Sequence, residues 1–399
     1  MRRCLFLLLA VLAAQSAFGQ KPEFVYDAGF EFYFDNREMD AGKEAFTRSM
    51  TINTAFLTPS VGLRIKQNAR NVHQVMAGLD IIKNMGEYPV RTPAAAGSDD
   101  ADRGLENTRL LREITLWYRF DLAFSKAKLT GVFGAYPRSL SQGNYSQAFW
   151  SDSLRHLDRN FDGALLQLQT SKAFFEVGCD WKGHQSEFRR EEFVIFTYGE
   201  WTPKEWLTLG WAGTFHHFAG SYKYPGVVDD NLVEPFAQLN AGKMAGIQLL
   251  TLRLGWLQAM QRDRVQQSGT LTPGGAEVYA EARHWNISLV NRFYAGKNLM
   301  PLYTNPSVAG TSYGSDLYMG SPFYRIGREA GKSGVYDRVE AWWQPRIASF
   351  LDLKLGTVFH FEDGFQGHQE VVSLIFSLDR ILNKKPVKKV TKYQFKRII

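Results

Sequence analysis

The first spacing that suggests chemistry is Gly310-Thr311-Ser312-Tyr313-Gly314, which satisfies G-x-S-x-G. In hydrolases that spacing works because the serine sits on a strand-to-helix elbow. No helical periodicity flanks it here, so it predicts no nucleophile. His216 and His217 are adjacent, which points them to opposite faces of an extended chain and spoils them as paired ligands. His360 shares a strand face with Asp352 and Lys354 and reads as wall lining. With no metal spacing and no phosphate loop, the expectation is no catalytic residue, no metal and no cofactor.

The charged residues follow a different rule, because they recur at every second position opposite apolar residues. Asp27, Glu31 and Asp35 alternate with Phe24, Tyr26, Ala28, Phe30, Phe32 and Phe34. Asp352 and Lys354 alternate with Leu351, Leu353, Leu355, Thr357, Phe359 and Phe361. Period two places one residue class on each face of a strand. The same pattern assigns Asp80, Glu113, Glu176, Asp180, Glu277, Glu281 and Glu340 to the polar face, together with Arg64, Arg119, Arg253, Arg283, Arg292 and Arg338.

The elements that must position these residues are about sixteen strands, within a range of fourteen to eighteen. They cover 23–35, 51–65, 72–83, 109–121, 128–137, 161–170, 173–182, 192–201, 206–218, 231–241, 246–258, 275–284, 286–296, 335–343, 349–361 and 368–379. Alternation is weakest at 128–136, 161–170, 192–201 and 231–241, and Pro235 is awkward inside a central strand. Short connections such as 66–71, 122–127 and 171–172 interleave with long ones near 36–50, 84–108, 138–160, 219–230, 259–274 and 297–334. That sorting fits an antiparallel barrel crossing a membrane, with turns at one end and loops at the other. Trp181, Trp201, Trp206, Trp342 and Trp343 stand near strand ends and are expected to form an interfacial girdle.

Arg2 and Arg3, the apolar stretch Leu5 to Ala14 and then Ala17-Phe18-Gly19 read as a cleaved signal peptide over 1–19. The barrel is expected over 20–381 and a basic tail over 382–399. The formal charge of +7 belongs largely to that tail, so it argues for no nucleic-acid partner. Cys179, the only thiol after the leader, excludes an internal disulfide. No run of 18 apolar residues follows the leader, so no helical span is expected.

Together these features resemble the porin-like outer-membrane β-barrels of Gram-negative bacteria, and Gln20 after the cleavage site resembles exported proteins of the Bacteroidota. The resemblance implies an all-β, closed antiparallel barrel that passes small polar solutes and contacts outer-membrane lipid and the barrel-assembly machinery. It leaves a homo-oligomer open. Eleven inward acids against seven bases predict a mild cation preference. The longest connection, 297–334, is the expected constriction, through Tyr303, Tyr313, Tyr318, Tyr324, Arg325 and Arg328. The competing readings are a plugged barrel acting as a receptor or assembly component and, further off, a barrel-borne hydrolase.

Overall fold

The computed structural model describes residues 22–40, 49–86, 110–187, 189–223, 226–264, 269–302, 323 and 332–382. The expected signal peptide, most of the tail and all six expected constriction residues lie outside them.

The chain forms β1 (Glu23–Met39), β2 (Met50–Lys66), β3 (Asn71–Asn84), β4 (Leu111–Ala123), β5 (Ala127–Pro137) and β6 (Asn160–Thr170). It continues with β7 (Ala173–Gly183), β8 (Glu192–Lys204), β9 (Leu207–Phe218), β10 (Val228–Asn240), β11 (Leu249–Asp263) and β12 (Gly274–His284). The remaining strands are β13 (Ile287–Gly296), β14 (Gly334–Trp343), β15 (Arg346–Ala348), β16 (Leu351–Phe361) and β17 (Phe365–Ser377). Every pairing is antiparallel, between chain neighbours except where β1 meets β17, and β15 is a three-residue piece beside β16 while β14 itself pairs with β16. The wall therefore consists of sixteen long strands. It closes because β1 pairs with β2 on one side and with β17 on the other, from Gly29 opposite Ser377 to Met39 opposite Gly367. Closure leaves no strand edge with unpaired amides, the condition for a sheet to stand in hydrocarbon.

The alternation read from the sequence sorts residues between the two faces. On β4, Ile114 and Leu116 are about 60 % exposed while Thr115 and Trp117 are buried. Trp201, Trp206 and Trp343 lie exposed at the short-turn end, where Trp285, absent from the expected girdle, joins them. Trp181 sits at the other end of β7, stacked on Phe193. Trp342 is a correction to the expected girdle. It is buried on the inner face and donates to Glu340, since neighbours on a strand cannot both face outward. Pro235 is accommodated where the ladder between β10 and β11 lapses, from Val233–Gln258 to Phe236–Gly255.

Candidate functional site

The interior is filled on one side and open on the other. What fills it is the connection between β5 and β6, residues 138–159, which turns inward instead of leaving the barrel. Its aromatic cluster is the cause: Tyr145, Ala148, Phe149, Trp150 and Leu154 are buried in one apolar core with inward residues of β5 to β11, among them Tyr136, Phe161, Phe196, Tyr198 and Phe236. Trp150 lies 5.8 Å from Phe161 and 5.5 Å from Phe196, and those two rings stack at 4.6 Å. Leu299, Met300 and Phe323 from the 297–333 connection join the same core, with Phe323 against Tyr294 and Tyr336. Both the 138–159 connection and the described part of 297–333 thus contribute to the filled side, while the six residues expected to constrict the barrel lie outside the described residues.

Polar anchors fix its path. Fully buried Glu176 on β7 accepts from Ser141 Oγ at 2.7 Å, Gln142 N at 2.9 Å, Gly143 N at 3.0 Å and Gln167 Nε2 at 2.9 Å. Gly143 is required there, because a Cβ would collide with Tyr145, Tyr198 and the same carboxylate. Helix α1 (Asp152–Leu157) is capped by Ser151, whose hydroxyl accepts from Leu154 N. Asp152 reaches Arg338 on β14 at 2.7 Å, Arg253 on β11 donates to Asn144 O at 2.7 Å, and Arg159 pairs with Glu31 on β1 at 3.0 Å.

The open side is a cavity of about 760 Å³ between this segment and the wall of β1 to β4, β13, β14, β16 and β17. Of the sequence-assigned lumen residues, Asp27, Glu31, Arg64, Asp80, Arg119, Arg292, Arg338, Glu340 and Lys354 line it. The others are engaged elsewhere. Asp35 is held by Arg37 and Gln369, Glu113 by Asn160, and Arg253 by Glu234, with Glu277 buried beside that pair. Glu281 pairs with Arg283, and Asp352 with Arg380. Missing from the sequence reading were Arg138, Asp152, Arg155, His156 and Arg159 of the inserted segment, all on the cavity wall.

The charges along the cavity are unequally matched. Arg119 pairs with Asp121, Arg138 with Asp158, Arg159 with Glu31, Arg292 with Glu340 and Arg338 with Asp152. Among the described residues no carboxylate stands at ion-pair distance from Arg64, Arg155 or Lys354, and buried Asp80 has no base at ion-pair distance either. Burial alone would raise Asp152, but Arg338 and Arg155 outweigh it and hold that carboxyl well below the ordinary range. Arg155 moves the other way, pushed down to about 10 by burial beside other cations despite Asp152.

His156 is wedged between aromatic rings, 4.4 Å from Tyr33 and 4.8 Å from Phe56. Burial first, then Arg159 and Arg37, push its pKa from 6.5 to about 3. A released segment would take a proton that the docked ring refuses. The docked state therefore keeps its full stability above the ordinary histidine pKa and loses it as pH falls toward about 3. Limited proteolysis within 138–159 should accelerate on going from about pH 7 to about pH 4, and His156→Phe should flatten that response by keeping the ring contacts without the titration. Equal pH dependence in both proteins would show that His156 is not responsible.

No family model matches the chain, and no curated protein matches it in sequence. Solved structures do match. An outer-membrane protein of Vibrio cholerae, OmpT in a trimer form, superposes with a TM-score of 0.51 at 8% identity, covering 90% of this chain and 100% of that one. This is an outer-membrane barrel fold. The barrel is also similar to Salmonella typhi OmpF in complex with daunomycin, with a TM-score of 0.49, 9% identity and coverage of 89% and 97%. A third similar structure is Pseudomonas aeruginosa OpdK with vanillate, with a TM-score of 0.45, 10% identity and coverage of 89% and 98%.

Proposed function

We propose that this barrel is a passive channel of the bacterial outer membrane, reached through a cleaved signal peptide, that admits small polar solutes and favours anions. The observation that carries the reading is the open cavity of about 760 Å³ inside a closed wall whose outer face is apolar. At this strand number side chains do not fill a barrel, and water occupies the remainder.

This proposed ion preference is opposite to the one expected from counting inward charges. That count gave Asp35, Glu113, Glu176, Asp180, Glu277 and Glu281 the same weight as the rest. None of them lines the cavity, and five are bound by named donors: Arg37, Asn160, the 141–143 backbone turn, Lys182 and Arg283 respectively for all but Glu277. Among the described residues, a permeating ion meets eight bases, Arg64, Arg119, Arg138, Arg155, Arg159, Arg292, Arg338 and Lys354, against five acids, Asp27, Glu31, Asp80, Asp152 and Glu340. Wall charges of one sign concentrate the opposite ion.

In a planar bilayer under a KCl gradient, purified protein should give discrete conductance steps with a chloride-to-potassium permeability ratio above about 1. Reversal on the potassium side would refute the anion preference. Absence of any steps would refute the channel and favour the plugged-receptor alternative, which the inserted segment 138–159 supports on its own.

A further inference from the structure

The filled and open halves of the lumen meet at one cluster of charges. Arg292 on β13, Arg338 and Glu340 on β14 and Lys354 on β16 face Asp152 and Arg155 on α1. Both carboxylates in it are fully engaged. Glu340 accepts from Arg292 Nε at 3.0 Å, Arg338 Nε lies 2.9 Å away, and Trp342 Nε1 donates at 2.8 Å. Asp152 takes Arg338 Nη1 at 2.7 Å and Gln147 Nε2 at 3.1 Å.

Two cations are left over. Arg155 gives one hydrogen bond to Tyr145 O at 3.2 Å, and Lys354 Nζ lies 3.6 Å over the Trp342 ring. That ring is itself pressed against Gly356, where a Cβ would overlap it, so the indole cannot retreat from the ammonium. Both cations border the same group of charges, Asp152, Arg292 and Arg338, and the register carries Lys354 toward the helix that bears Arg155. Lys354 stands opposite Ser373 of β17, Ser373 stands opposite Tyr33 of β1, and Tyr33 touches His156, the neighbour of Arg155. Lys354 is only 6 % exposed and has no carboxylate at ion-pair distance among the described residues, which is costly for an ammonium, and a bound anion lowers the cost. The rings of Tyr33, His156 and Trp342 beside it suit an anion carrying an apolar tail over inorganic phosphate, which holds its hydration shell more tightly.

We propose that Lys354 and Arg155 form a binding site for small organic carboxylates on the lumen wall. The assignment rests on the channel reading, because the anion reaches the site through the lumen. Arg155 supplies planar paired donors and Lys354 a point charge, while Trp342 reports occupancy because it touches the ammonium.

The test is a titration of detergent-folded protein with butyrate, followed by tryptophan emission, with butylammonium and phosphate as comparators. Butyrate should give a saturable change that Trp342→Phe abolishes, and butylammonium none. Lys354→Gln and Arg155→Gln should each weaken the apparent affinity about tenfold or more, with Lys354→Arg retaining it. Unsaturable emission, or unchanged affinity in both Gln variants that retain the β-sheet circular dichroism of the parent, overturns the site. Phosphate binding as well as butyrate overturns the ligand class. Bilayer conductance of the same preparations separates the two levels: conductance without butyrate binding sinks the site alone, and binding without conductance sinks the channel.

Discussion

Removing residues 141–157 and closing the gap with a short glycine linker will raise single-channel conductance about two- to threefold, because the segment occupies the half of the lumen facing β5 to β11. It will also cost stability. Trp150, Tyr145 and Phe149 leave behind the stacked pair Phe161–Phe196, with Tyr198 and Phe236 beside it, and burial lost at aromatic positions costs about 3–5 kcal/mol apiece before relaxation. A milder version replaces Tyr145, Phe149 and Trp150 with serine, which keeps the chain length and removes only the apolar reason to stay inside. Both proteins should show larger steps than the parent in the same salt, measured after confirming β-sheet by circular dichroism. An unchanged conductance would mean that the inserted segment does not limit the path that ions take.

Arg338→Ala should be the most damaging single substitution on the lumen wall. The guanidinium joins Asp152 of the inserted helix at 2.7 Å and lies 2.9 Å from Glu340, so its removal leaves Asp152 without an ion-pair partner among the described residues while Glu340 keeps Arg292 at 3.0 Å. Breaking a buried ion pair from one side costs about 3–5 kcal/mol, mostly as desolvation of the charge left behind. The loss should appear as a lower urea midpoint for unfolding from lipid vesicles and as faster cleavage within 138–159. Adding Asp152→Asn should recover part of it, because the amide needs no cation. If the double variant is no more stable than Arg338→Ala, stranded charge is not the cause and lost packing is.

The wall was legible in the sequence because it obeys one simple rule. Each strand had to set Phe24 or Ile114 on one face against Asp27 or Thr115 on the other, and a period of two survives in any single sequence. The inserted segment broke that rule in a readable way. The four stretches with the weakest alternation belong to β5, β6, β8 and β10, where Val132, Tyr136, Phe161, Leu165, Phe196, Tyr198, Leu232 and Phe236 face inward. Those strands are apolar on both sides because their inner face meets Tyr145 to Leu154 rather than water. Faded contrast was therefore evidence of an internal occupant, and the aromatic run Tyr145, Phe149 and Trp150 in the 138–160 connection was its partner. Loop length pointed to 297–334, whose described residues Leu299, Met300 and Phe323 do join the inner core, but it says nothing of which shorter loop has an apolar reason to join them.

Charge balance is hard to read from sequence for a related cause. Periodicity tells which face a carboxylate occupies, and it is silent on whether Asp35 has already been taken by Arg37 and Gln369. That depends on partners remote along the chain, and the sign of the lumen rests on it. Trp342 failed more simply, through assigning two consecutive indoles to one side.

The seam between β1 and β17 has a consequence for how such a molecule is made. Its ladder sets Gly29 against Ser377 and Met39 against Gly367, so the first strand synthesised finds its second neighbour only when the final one has emerged. Until then the growing sheet carries two raw borders, each able to recruit a stranger. A chain with this join has to be kept unzipped and escorted during its manufacture, then shut in a single late event, and any truncation before Phe365 leaves it permanently ajar.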